Sequence, residues 1–243
     1  MPVDLPIAML LSGLQCWLAL IAGLGVLLVI DLMIVGRRGG AMSMRAASLA
    51  SATWVSIGAG FTLLVYLLGS AEHAGNYLAG YVVELSLSLD NVFVFLLIFR
   101  AFGLAQAERH RMLTYGILMA LILRLIFIFA GVALLQRFHW VAFIFAAFLI
   151  WTGWRMLKHR HDHAGEEHLV AGLKARIRMR PQYAALIAIA VADILFAVDS
   201  IPAVLAITDE TFIVFAANAF ALFGLRAMFF LVAELVDRLL HLK

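Results

Sequence analysis

A bundle of α-helices that crosses a membrane several times is the fold this sequence predicts, on three observations. Residues AVILMFWYC make up 65% of the chain and DEKR 14%, against roughly 45–50% and ~25% in soluble domains. The apolar residues gather into seven runs, each long enough to cross a bilayer, which takes roughly 20 helical residues. None of the runs alternates apolar with polar at period two, so a closed barrel is excluded and the class is all-α. The same balance excludes a nucleic-acid-binding module, a secreted disulfide scaffold and most soluble enzymes. The pI near 9.3 comes from basic residues lying between apolar runs rather than on one face.

Span one covers 7–35. It is longer than a signal-peptide core, and Asp4 stands where a signal would carry Lys or Arg, so a membrane helix is expected rather than a cleaved leader. Cys16, inside this span, is the chain's 1 cysteine, and no internal disulfide can form. Spans two and three cover 47–69 and 77–99. Spans four and five cover 112–135 and 138–157, and spans six and seven 183–208 and 211–235. The whole chain, 1–243, reads as a single transmembrane domain.

The one substantial soluble segment is 158–182. It opens with HRHDHAGEEH and continues as LVAGLKARIRMR up to Pro181. Leu169, Leu173 and Ile177 recur every four residues among basic side chains, the pattern of an interfacial amphipathic helix on anionic lipid. His159, His161, His163 and His168 form a tract that can bind metal. A solvated polar linker is the plainer reading of the same residues.

Basic residues set the expected orientation. Arg37, Arg38 and Arg45 follow span one, and Arg100, Arg109 and Arg111 follow span three. Arg155, Lys158, Arg160, Lys174, Arg176, Arg178 and Arg180 follow span five, and Arg238 and Lys243 close the chain. The opposite side has Arg137 with the acidic Glu72, Asp209 and Glu210. This bias places the N-terminus outside and the C-terminus in the cytoplasm. Asp31 and Glu234 lie near cytoplasmic span ends and read as interface residues.

Ionisable groups inside a span cost ~2.5–3.5 kcal/mol each near the centre by translocon scales, so their presence needs a reason. Span three, YVVELSLSLDNVFVF, carries Glu84, Asp90 and Asn91. Span six, AVADILFAVDSIPAV, carries Asp193, Asp199 and Ser200. One pattern is written twice: an acid, five residues, an Asp, then a small oxygen-bearing residue. Each copy is followed within one further span by an intramembrane arginine, Arg124 and then Arg226. Copies three spans apart run in opposite directions, which predicts an inverted repeat with its site near the midplane. The first repeat is 77–157; the second, 183–243, is incomplete.

Six residues of straight helix turn through about 600°, leaving the two acids of a copy some 120° apart. They converge only if the helix unwinds or several helices contribute. Pro202, deep in span six, predicts local unwinding and frees the carbonyl of Val198 as a further ligand. Ser86 and Ser88 offer hydroxyls, or serve close helix packing. Carboxylate, amide, hydroxyl and carbonyl oxygens suit Mg²⁺, Ca²⁺ or Mn²⁺. Four carboxylates and two arginines leave a charge that one divalent cation or two protons would balance, which suggests cation–proton exchange. The rival reading is a set of buried ion pairs that hold helices together.

The motifs ELSLSLDNVFVF and ADILFAVDSIPAVLAIT, with the later FIVFAANAFALFGLRAMFFL containing Asn218 and Arg226, closely resemble the TerC/Alx family of integral membrane proteins. The resemblance runs from about Val29 to the end. It implies a helical membrane protein of the broad LysE-like exporter class, with links to Mn²⁺ efflux, tellurium resistance and metal supply to exported proteins. By resemblance, Glu84, Asp90 and Asn91, and Asp193, Asp199 and Ser200, are the ion-handling residues. Leu85 and Ala190 depart from it, where relatives often carry Lys and Glu, and relatives usually continue beyond LHLK through further helices.

The function expected is a bacterial inner-membrane exporter of a divalent metal cation, Mn²⁺ above all. Asp90 and Asp199 would hold the ion, with Asn91, Ser200, Glu84 and Asp193 completing the site or carrying protons. Arg124 and Arg226 would set the local potential. No organic cofactor, nucleic acid or enzymatic activity is expected, and a homo-oligomer is compatible with the sequence. The alternative is a non-transporting membrane partner that supplies metal to exported proteins or assists a tellurium-resistance complex. An intramembrane aspartyl protease is disfavoured, since neither Asp90 nor Asp199 sits in a Gly-Asp context.

Overall fold

The structure, a computed structural model, describes residues 13–36, 44–158, 170–172, 174 and 179–241. Its long elements are helices: α1 (Leu14–Gly36), α2 (Met44–Leu68), α3 (Ala71–Ala101), α4 (Gln106–Arg137), α5 (Val141–Lys158), α6 (Pro181–Leu205) and α7 (Thr211–His241). Each matches one apolar run of the sequence. Among the described residues 6 of them are long and apolar enough to cross a membrane. The expected seventh, α5, is an 18-residue helix whose shorter apolar stretch is Val141–Trp151.

Local chemistry fixes the helix ends. Ser70 caps α3, its hydroxyl accepting from the His73 N–H at 3.2 Å and so satisfying one of the orphan donors. α3 ends in a Schellman motif. The Gly103 N–H donates to the Arg100 carbonyl at 3.1 Å and the Leu104 N–H to the Phe99 carbonyl at 3.1 Å. That geometry needs φ > 0 between them, and Gly103 supplies it at +67°. Leu104 and Phe99 are both buried in the same apolar cluster, the contact that accompanies this cap. Glu108 reaches back to the Ala105 N–H at 3.2 Å at the start of α4. Pro181 opens α6 at its first turn, where its missing N–H costs nothing.

Packing does not follow chain order: of the successive helices only α2 and α3 pack extensively, and the larger contacts join helices distant in sequence. α7 is the hub. It packs most extensively on α3 and α2, and also on α4 and α1, while α6 packs on α4 and α3. From Phe212 to Leu225 every residue of α7 is buried. Its phenylalanines are interleaved with Ala216, Ala217, Ala219 and Ala221, so large and small faces alternate around the helix. A helix apolar on all sides belongs in the interior, and small residues let neighbours approach closely.

Two aromatic latches tie α2 to α3. Tyr77 Oη donates to the Gly58 carbonyl at 2.8 Å and Tyr81 Oη to the Val55 carbonyl at 3.2 Å. Gly58 leaves room for the second of them, because a Cβ there would lie 2.6 Å from the Tyr81 ring and force it to move. Gly58→Ala is therefore expected to lower the thermal unfolding midpoint, with a cost of about 1–3 kcal/mol typical of overpacking. Because the two residues touch, Gly58→Ala combined with Tyr81→Ala should cost less than the sum of the two single losses. A Gly58→Ala protein as stable as the parent would refute the contact.

Two expectations are corrected. α6 stays helical through Pro202 to Leu205, so the predicted unwinding does not occur. Pro202 removes one hydrogen bond, to the Val198 carbonyl, but its fixed φ still suits a helix, which carries on past it. Asp31, read as an interface residue, is buried at 8% exposure. Glu234 does lie at a partly exposed position, paired with Arg238 one turn on at 2.9 Å. The His tract (His159, His161, His163, His168) and most of the amphipathic stretch lie outside the described residues; Val170–Gly172 within it are helical.

Candidate functional site

The apolar interior is divided in two. One cluster takes Tyr77 and Tyr81 from α3, Ile128 and Val132 from α4, and Ile201 and Val204 from α6. The other takes Phe95 and Phe99 from α3, Leu113 and Ile117 from α4, and Ala188 and Ile189 from α6. Between them, on the same helices, lie Glu84, Arg124 and Asp193, joined by Asn218 of α7. Glu84 stands about 20 Å along α3 from its start and about 25 Å from its end at 1.5 Å per residue. The polar layer is thus near mid-membrane, with an apolar plug on either side.

Four helices contribute one side chain each. Arg124 Nη1 donates to Glu84 Oε2 and to Asn218 Oδ1, both at 2.5 Å. Asn218 Nδ2 donates to Glu84 Oε1 at 3.0 Å and approaches the Val214 carbonyl at 3.4 Å. Both Glu84 oxygens are therefore occupied. Asp193 is held more loosely, with Oδ1 3.5 Å from Arg124 Nε. Glu84, Arg124, Asp193 and Asn218 are 0%, 1%, 1% and 1% exposed.

Two carboxylates share this one guanidinium, so the layer is one negative charge in excess when all three are ionised. A cation or a proton would neutralise it, and burial makes the excess costly. Spare valence is present too. Asp193 Oδ1 and Oδ2, Arg124 Nε and Nη2, and the hydroxyls of Ser88 and Ser200 have no hydrogen-bond partner among the described residues. Ser88 lies one turn after Glu84, and Asn91 and Ser200 lie two turns after Glu84 and Asp193. All three are buried, as helical spacing requires of residues on one face.

The predicted constellation therefore divides by face. Asp90 and Asp199 are exposed, each engaged in a further interaction, and Ser86 and Val198 are exposed with them. Ser86 returns its hydroxyl to the Val82 carbonyl at 2.8 Å. The 120° offset between the acids of a copy persists because neither helix unwinds. Among the described residues no three of Asp, Glu, His and Cys converge as a metal-holding group. Arg226 lies in α7, its side chain outside the described residues. Sequence reasoning missed the tyrosine latches and the depth of Asp31. It also did not pair Arg124 with both acids.

The two copies match in burial. From Glu84 to Val92 and from Asp193 to Ile201 each position has the same degree of exposure as its counterpart. Acid, Asp and small polar residue sit on buried, exposed and buried positions in both.

Comparison with known proteins follows the same motifs. The model of the integral membrane protein TerC family matches residues 69–243. An uncharacterized membrane protein of Myxococcus xanthus, STKORF319, is 38% identical across 93% of this chain and 78% of its own length. Alx of Escherichia coli strain K12, provisionally named a membrane-bound redox modulator, is 39% identical across 90% of this chain and 77% of its own. A Rickettsia conorii membrane protein, RC1219, is 31% identical across 93% and 82%. No solved structure matches. From α3 to its last residue the chain carries the family's pattern, and it belongs to the TerC family of integral membrane proteins.

Proposed function

We propose that this protein transports a divalent metal cation, exporting Mn²⁺ across the bacterial inner membrane, with the N-terminus outside and the C-terminus in the cytoplasm. The observation that carries this reading is the duplicated acid pair with matched burial. On each of α3 and α6 one acid lies in the sealed polar layer and one lies outside it. Ion pairs that merely joined helices would need neither the second acid nor the repetition. Exchange of α3 with α6 and of α4 with α7 would turn the α3–α7 contact into the α6–α4 contact. Both contacts are extensive, which supports an inverted repeat and alternating access by rocking one half against the other.

In this mechanism Asp90 and Asp199 receive the cation from water and Asn91 and Ser200 supply neutral oxygens, an oxygen set suited to Mn²⁺. Glu84, Asp193 and Arg124 hold the excess negative charge at the midplane that attracts the ion or a counter-transported proton. The redox effect named for the Alx relatives would follow here from metal handling. The 1 cysteine cannot form an internal disulfide. The test is Mn²⁺ accumulation in inside-out vesicles with and without an imposed pH gradient, repeated with Ca²⁺. Uptake that depends on the gradient and prefers Mn²⁺ is expected. Vesicles that take up neither ion, with the protein present, would refute transport.

One observation favours a second reading, a membrane partner that passes metal to exported proteins or serves a tellurium-resistance complex. It is the run HRHDHAGEEH, whose four histidines are of a metal-binding type. Function would then depend on the segment around His159, His161, His163 and His168. Deleting 159–168 separates the two: vesicle uptake should survive in a transporter, whereas a docking protein would lose its effect on metal supply.

A further inference from the structure

At the basic end of the bundle the starts of α4 and α6 enclose a cleft of about 490 Å³, lined by Arg111, Met112 and Tyr115 of α4 and by Arg180, Tyr183 and Leu186 at α6. We propose that this cleft binds the phosphodiester headgroup of an anionic phospholipid. The site is independent of the transport reading.

The chemistry is layered along both helices in the same order. Arg111 and Arg180 lie outermost, at the membrane edge. Tyr115 and Tyr183 follow about one turn deeper, 48% and 56% exposed, at the depth where aromatic rings settle among headgroups. Met112 and Leu186 close the apolar side. A phospholipid presents the matching sequence of phosphate, glycerol ester and acyl chain. Basic pockets between transmembrane helices are a recurrent site for such headgroups.

The two arginines are exposed, and among the described residues neither forms an ion pair. Neighbouring basic residues are otherwise engaged: Arg109 Nε donates to the Leu104 carbonyl at 2.9 Å, and Arg100 has an interaction of its own. Glu108, the one acid lining the cleft, is also engaged. Its Oε1 accepts from Gln182 Nε2 at 2.8 Å and its Oε2 from the Ala105 N–H at 3.2 Å. Those donors occupy both of its oxygens, leaving two arginines against one acid in the cleft, and the bond to Gln182 pins α4 to α6 so that the cleft is preformed. A guanidinium pair suits phosphate oxygens, which it can grip in a fork geometry.

Native mass spectrometry of the detergent-purified full chain tests this, with phosphatidylglycerol and phosphatidylcholine of identical acyl chains added separately. Phosphatidylglycerol should be retained in preference to phosphatidylcholine. Arg111→Gln with Arg180→Gln should weaken its retention about thirtyfold, from two basic contacts near an anionic headgroup. If the double variant is not recovered, Arg180→Gln alone should weaken it about fivefold. Equal retention of the two lipids by the parent, or undiminished phosphatidylglycerol on the variant, would overturn the site. Thermal stabilisation by inorganic phosphate equal to that by phosphatidylglycerol would also overturn it, reassigning the cleft to a soluble phosphoanion.

Discussion

Arg124→Gln is expected to cause the largest loss of stability of any single substitution in the polar layer. The guanidinium is 1% exposed and contacts Glu84, Asn218 and Asp193. Its removal leaves two carboxylates buried together with no cation. Breaking a buried pair in this way typically costs ~3–5 kcal/mol, and like charges in an apolar layer add to it. Glu84→Gln should cost much less, because Arg124 and Asp193 remain as a balanced pair and Gln can still accept from the guanidinium. Adding Glu84→Gln to Arg124→Gln should therefore raise stability again, an inversion that simple loss of contacts would not give. Thermal midpoints by fluorescence-detected size exclusion, all in one detergent, provide the measurement. If Arg124→Gln unfolds no earlier than Glu84→Gln, the layer does not behave as a charge unit.

This ordering also bears on why the layer lies where it does. The two apolar clusters on either side are built largely from aromatic and aliphatic residues of α3, α4, α6 and α7. They keep water from the arginine and its acids. In the proposed transport cycle, a charge cluster sealed at both ends would take up an ion only if those plugs moved. The tyrosine latches fasten α2 to α3 at one end, whereas the α3–α4 turn is held by a glycine-dependent cap at the other. Rocking of α6 and α7 against α3 and α4 would open one plug while the other remains packed.

The sequence made the helices legible because apolar length is almost the only requirement a bilayer imposes. Each run became one helix, and helix ends moved by a few residues where caps decide them, as at Ser70 and Gly103. Candidate site residues were legible for the same reason: Glu84, Arg124 and Asp193 are costly in lipid, so their presence alone marks them. Pairing was not legible. Apolar residues face lipid and protein alike, so periodicity does not reveal which helix faces meet. Nothing in the spacing says that Arg124 reaches α3 and α6 at once, or that Asn218 bridges it to Glu84. Pro202 misled because a proline can remove one hydrogen bond from a helix without ending it. Asp31 misled because span ends reach water only where no neighbour covers them.

Asp90→Asn and Asp199→Asn are expected to abolish Mn²⁺ uptake in inside-out vesicles while leaving the protein in the membrane at parental levels. Burial decides the contrast with Arg124. Both aspartates are exposed, so neutralising them leaves no partner charge sealed in the polar layer, whereas Arg124→Gln does. Their thermal midpoints should therefore stay near that of the parent, so lost flux would report lost ion handling rather than lost fold. The neutral amide keeps the shape and an oxygen ligand but removes the charge that offsets the cation's desolvation. Because the two residues occupy matching positions in the two copies, the variants should fail alike. Failure of one alone would mean that the copies are inequivalent and that the ion meets a single half. Retained flux in both variants would remove Asp90 and Asp199 from the ion's path and leave Glu84 and Asp193 as the acids that act on it.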